Sequence, residues 1–235
     1  NFEGSGLSIL LDILAYNTHY LGFNMNMLAN EMFLDSSSLR SSVVSHAKTL
    51  GYEPASARAP KAVIDVTLFD STKATGAIPA GTVFTSSVND VDYNFVTITE
   101  LTSANTGNSI PFLGVEIYEG TFITTQYTVD SGDVNQRFLL TDNRADTNTL
   151  TVSVQNSSTD TTSTTYTKTT DISQVTSTSK NYFLQEVEAG LFEVYFGDGV
   201  LGTALSDGNI VILTYVVTNR EDANTASTFT NAAAI

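Results

Sequence analysis

Residues 7–32 read LSILLDILAYNTHYLGFNMNMLANEM, and the apolar spacing in this stretch decides how the rest of the chain divides. Leu7, Leu11, Leu14, Thr18, Leu21, Met25, Leu28 and Met32 alternate steps of four and three. That is the heptad spacing of a helix with one seam held against a partner. A second line, Ile9, Ile13, Tyr16, Tyr20, Phe23 and Met27, runs along the same segment. One stripe makes an amphipathic helix lying on a core, whereas two stripes require cover on most sides. The β-region could cover one side, and other helices, from this chain or another, would have to cover the rest; the heptad seam favours a bundle with a partner chain. Asp12, Asn17, His19, Asn24, Asn26 and Asn30 interrupt the run, so it is not a membrane span. It also lacks the basic flank and small-residue cleavage site of a signal peptide.

Ser36, Ser37 and Ser38 offer N-caps for a shorter helix whose face is Leu39, Val43, Ala47 and Leu50. Gly51 stands where a left-handed C-terminal cap belongs. Residues 1–53 are therefore a helical, bundle-forming segment, and Pro54 and Pro60 bracket a linker over 54–61. From residue 62 the period becomes two: Ala62, Ile64, Val66 and Leu68 alternate with Val63, Asp65, Thr67 and Phe69. Short strand patterns follow at 82–86, 93–98, 114–118, 122–129, 137–141, 150–154, 182–187, 192–196 and 210–217. Glu119-Gly120 and Ala189-Gly190 read as hairpin turns between strand pairs. The fold class is α+β, a helical segment followed by a mostly antiparallel or mixed β-region over 62–235. Residues 151–180 hold 18 Ser and Thr, which predicts an exposed edge hairpin or a mobile loop, outside the core. The start at Asn1 and the polar end at 231–235 are read as the cut ends of a piece of a longer protein.

The 235 residues carry 10 Lys+Arg against 25 Asp+Glu, for a formal charge of −15. Residues 1–60 contribute −2 and residues 61–235 contribute −13. Such a surface repels phosphate, which argues against nucleic-acid binding and against docking on anionic lipid. The absence of cysteine excludes disulfides, thiolate metal sites and cysteine nucleophiles.

Chemical motifs fail on context, and neither a cofactor, a metal nor an enzymatic activity is expected. His19 and His46 have no second ligand at metal spacing, and His19, among Tyr16, Tyr20 and Phe23, reads as a core or interface histidine. Gly197-Asp198-Gly199-Val200-Leu201-Gly202 matches G-x-G-x-x-G, yet Ser206-Asp207-Gly208 makes a turn and a strand follows where a dinucleotide site needs a helix. Its glycines are better explained by turns with positive φ. Asp130, Asp133, Asp142 and Asp146 match no calcium-loop spacing. Glu186, Glu188 and Glu193 imitate a glycosidase pair with nothing to place them in a cleft.

Two blocks carry a resemblance. The helical stretch 10–20, with Asn30-Glu31-Met32-Phe33-Leu34-Asp35, residues 39–44 and Ala47-Lys48-Thr49-Leu50-Gly51-Tyr52, is similar to the N-terminal part of the larger baseplate wedge subunit of T-even-type contractile-tailed phages. Ile78-Pro79-Ala80-Gly81-Thr82 resembles the strand entry of the wider baseplate J-like family. Phe196, Gly197, Asp198, Gly199 and Gly202, followed by Asp207-Gly208-Asn209-Ile210, resemble its turn motif. The resemblance implies a virion protein of the tail baseplate, assembled in the host cytoplasm. Its implied partners are a second copy of itself, another wedge protein bound through the N-terminal helices, and neighbouring wedges in a ring around the hub. That ring changes shape and triggers sheath contraction. On this reading Leu7, Leu11, Leu14, Leu21, Met25, Leu28 and Met32 bury against partner helices. The rival reading is a receptor- or glycan-binding tail adhesin, which needs exposed aromatic residues, with Tyr166 and Tyr182 as candidates.

Overall fold

The computed structural model describes residues 5–69, 72–133, 136–169, 171–187 and 190–231. They form two compact units, Asn1–Pro54 and Ala55–Ile235.

In the first unit, α1 runs Gly6–Glu31 and α2 runs Arg40–Thr49. Ser5 caps α1 by accepting the Ser8 amide at 3.3 Å. At the other end of the unit Gly51 adopts φ 75°, as its position predicted. Its amide donates to Lys48 O at 2.9 Å and that of Tyr52 to Ala47 O at 3.0 Å, which closes α2 with a Schellman turn. The serines before α2 do not cap it. The Ser36 hydroxyl donates to Asn30 O at 2.7 Å and that of Ser37 to Leu34 O at 3.2 Å. Ser38 donates to the Glu31 carboxylate, and Leu39 itself occupies the cap position without a side-chain bond. The buried side chain of α2 is Val44, next to the Val43 of the anticipated face.

The described part of the second unit is mostly β, with short 3-10 helices at Ile172–Gln174 and Arg220–Ala223. A five-stranded antiparallel sheet has the order β1 (Lys61–Phe69), β6 (Ser109–Glu119), β4 (Val91–Val96), β3 (Val83–Val88), β14 (Thr230–Asn231). Its core is Ile78, Phe84, Phe95, Ile110, Phe112, Val115 and Ile117, and Ala62, Ile64, Val66 and Leu68 pack on it as the period-two pattern required. Strands β2 (Thr75–Ile78) and β5 (Leu101–Ala104) pair separately. A seven-stranded sheet has the order β7 (Thr121–Thr128), β13 (Ile210–Val217), β9 (Ala145–Gln155), β10 (Ser163–Lys168), β11 (Asn181–Glu186), β12 (Phe192–Phe196), β8 (Phe138–Leu139). It is mixed because β10 and β11 run parallel.

Two expectations are corrected. The Ser/Thr-rich stretch does form a hairpin, β9 to β10, but inside the seven-stranded sheet rather than at its edge. Val152, Val154 and Tyr166 alternate inward to the core while Ser and Thr fill the other positions. Threonine is β-branched and suits a strand, so a stretch poor in large apolar groups still builds the sheet interior. Glu119-Gly120, in turn, does not close a hairpin, because β6 pairs with β1 and β4 while β7 pairs with β13. Gly120 is the corner at which the chain leaves one sheet for the other. Its φ is 130°, and a Cβ there would lie 2.2 Å from Val217 O, a close approach that only glycine allows. Strands β11 and β12 pair antiparallel, but Ala189 of the proposed turn between them lies outside the described residues.

The corner is held by Glu119, fully buried. Its carboxylate accepts the Thr218 hydroxyl at 2.6 Å, the Asn219 amide at 2.9 Å and Asn219 Nδ2 at 2.8 Å. A buried carboxylate is tolerated when its lone pairs are filled in this way. The segment before β1 is tied down similarly: Asp146 accepts the Ala59 amide at 2.9 Å, and Ser56 Oγ accepts that of Thr147 at 3.0 Å.

Candidate functional site

Helix α1 spans 26 residues, roughly 39 Å at 1.5 Å per residue. No residue of it is buried. Leu21, Met25 and Leu28 are 56, 70 and 68 % exposed, and Leu7, Leu11 and Leu14 are exposed as well. The second line is no better covered: Ile9, Ile13, Tyr16, Tyr20, Phe23 and Met27 are all exposed. The two lines lie on opposite sides of the helix, separated by Asp12, His19 and Asn26 on one flank and Asn17 and Asn24 on the other, each set at seven-residue intervals. At the heptad position held by threonine, the Thr18 hydroxyl donates to Leu14 O at 2.8 Å, so it brings no unsatisfied polar group to the seam. Met32 stands just past the helix as its C-terminal cap. His19 is exposed, so it is not a core histidine. Burying a leucine or methionine side chain is worth about 1.5–3 kcal/mol, and along α1 that gain is left unrealised within the chain. Among the described residues no helix is long and apolar enough to cross a membrane.

The helix ends at a structured elbow. The Glu31 carboxylate accepts the Ser38 amide at 3.0 Å, the Ser38 hydroxyl at 2.8 Å and the Leu39 amide at 3.3 Å, and His46 Nε2 donates to Glu31 O at 3.0 Å. A bond from the Ser42 hydroxyl, then one from the Ser38 amide, lowers the Glu31 pKa from 4.5 to about 2. A carboxylate that holds its charge more tightly when folded stabilises the fold above its unfolded pKa, and that contribution is lost as protons bind. Helicity of the first unit is thus expected to hold from neutral pH to near 4.5 and to fall between there and about 2. A carbon-detected titration of the Glu31 carboxyl with its midpoint near 4.5 would contradict this.

The turn motif is a compact loop after β12. Asp198 Oδ1 accepts the amides of Leu201 at 3.0 Å and Val200 at 2.9 Å, and these bonds lower its pKa. The Gly199 amide donates to Gly202 O at 3.0 Å, and both glycines have φ 88°. A Cβ on Gly197 would lie 2.2 Å from Leu201 O. Asp198 fills the amides that a phosphate would need, and no helix follows, so these glycines serve the turn.

Several of the carboxylates singled out in the sequence have partners within the fold. Asp130 accepts the Gly132 amide, Asp142 pairs with Arg144 at 3.1 Å, and Asp146 accepts from Asn148. Glu193 takes Arg137 in a two-point pair at 2.9 Å. It sits opposite Gln185, whereas Glu186 sits opposite Phe192, which turns the two carboxyls to opposite faces of the sheet. Glu188 lies outside the described residues. Tyr166 and Tyr182 are buried in the core of the seven-stranded sheet, so they cannot supply the exposed platform of an adhesin. Glu119 and Glu31 are buried or capping carboxylates whose structural roles the sequence did not announce.

Comparison with known proteins finds two likenesses. Residues 1–52 match the family model described as baseplate wedge protein gp6-like, helical domain. The chain is 30 % identical over 253 aligned residues to the baseplate wedge protein gp6 of Enterobacteria phage T4. The match takes in 99 % of this chain and 37 % of that relative, so the chain spans little more than a third of the length of the protein it matches. The helical unit matches the helical domain of the gp6-like baseplate wedge proteins, and the similarity to a gp6 relative extends through the β-unit.

Proposed function

We propose that this chain is a structural component of a phage tail baseplate wedge, with α1 as the element that joins it to other chains. The observation that carries the proposal is a 26-residue helix with apolar lines on opposite sides and no buried residue. Leu7, Leu11, Leu14, Leu21, Met25, Leu28 and Met32 form the seam against partner helices, supplied by a second copy and by another wedge protein. The β-unit is the spacer and the contact surface toward neighbouring wedges in a ring around the hub. Methionine at two seam positions suits a junction that repacks, because its unbranched side chain adapts to changing neighbours, and the ring relays the change that triggers sheath contraction. Assembly takes place in the host cytoplasm, and the role is structural rather than catalytic.

The test is electron microscopy of gold-labelled antibody against residues 62–235 on intact and contracted particles. The expected label is confined to the end plate of the tail in both states. Label on fibre tips would instead favour the adhesin.

A further inference from the structure

We propose that Glu31 is a latch that fixes the direction of α2 relative to α1, making the segment between the helices a rigid elbow rather than a flexible connection. The inference rests on hydrogen bonding within the first unit and stands whether or not the chain serves in a baseplate.

One residue, the last of α1, is held through two separate groups by α2 and the two residues that lead into it. Its carboxylate gathers the backbone amides of Ser38 and Leu39 and the Ser38 hydroxyl, and its carbonyl takes the His46 ring at 3.0 Å, from the second turn of α2. A capping box places a glutamate three residues inside a helix to reach back to the cap amide. Here the third helical position is Ser42, and a glutamate from the preceding helix takes the cap amide instead. The cap of α2 thereby exists only while α2 lies against the end of α1. The connecting residues add their own bonds back to α1, from Ser36 to Asn30 O and from Met32 to Ala29 O. Leu28 and Met32, the last positions of the apolar seam, flank this residue in sequence. A partner helix packed to the end of the seam therefore meets an α2 already fixed in direction, and its ordering cost falls outside the binding step.

The experiment uses the whole chain without a partner. Spin labels at the exposed Asn24 and Ser45 report the distance between the helices, and hydrogen exchange reports the Ser38 and Leu39 amides. The wild-type chain is expected to give one narrow distance distribution and protected amides. Glu31→Ala is expected to broaden the distribution and speed exchange of both amides roughly fivefold or more, the scale of a lost cap, with Glu31→Gln intermediate because an amide oxygen still accepts. An unchanged distribution in Glu31→Ala would overturn the latch. Where that substitution melts the helices, the wild-type amides decide: protection of Ser38 and Leu39 supports the latch, and exchange at the rate of an open chain overturns it.

Discussion

Replacing Leu21 and Leu28 together by aspartate is expected to abolish association with the partner helices while the β-unit stays folded. Both leucines lie on the heptad line of α1 and are exposed in the lone chain, at 56 and 68 %. The substitutions therefore remove little packing that the isolated protein already has. In an assembled bundle each change loses about 2 kcal/mol of leucine burial and sets an unpaired carboxylate in an apolar seam, a further cost of at least about 1 kcal/mol. Two sites together cost about 6 kcal/mol, or about four orders of magnitude in Kd. Co-purification from cells that express the wedge proteins measures the loss. The far-ultraviolet strand signal of the double variant should match wild type. Retained co-purification would remove α1 from the interface.

Gly120→Ala is expected to destabilise the β-unit severely. The new Cβ would lie 2.2 Å from Val217 O and 2.8 Å from Val216 Cγ1. The first is backbone in strand β13 and the second belongs to a fully buried side chain, so neither yields cheaply. The residue is also held at φ 130°, and its amide donates to Asn94 O at 2.8 Å, so the backbone cannot relax without losing a sheet bond. Steric conflict and backbone strain together cost roughly 3–5 kcal/mol. That lowers the melting temperature of a unit this size by roughly 8–15 °C. Gly22→Ala has nothing within 4 Å of the added Cβ and is the control expected to leave the β-unit's melting unchanged. A Gly120→Ala protein melting within a degree or two of wild type would show that the corner is looser than its geometry.

What the sequence revealed depended on how plainly apolar periodicity was written. Strands 192–196 and 210–217 coincide with β12 and β13, because Phe192, Val194, Val211, Leu213 and Tyr215 supply uninterrupted inward positions. Strand β10 was hidden because its one inward aromatic, Tyr166, stands among serine, threonine and lysine. Its partners across the sheet, more than its own residues, make it a strand. Glu119-Gly120 reads as a hairpin turn from its own residues, but which strands flank it is settled by pairing across long sequence separations. The apolar lines of α1 were legible because a helix's period is local. Glu119 and Glu31 were not, since each acts on residues that only the fold brings near: Thr218 and Asn219 for one, the start of α2 for the other.

The most direct test of α1 as the joining element is a photo-activated cross-linker placed at position 21 in assembled tails. A cross-link from position 21 to a helix of another wedge chain, lost when Leu28 is also changed to aspartate, is the predicted result. Cross-links confined to the β-unit of the same chain would contradict it.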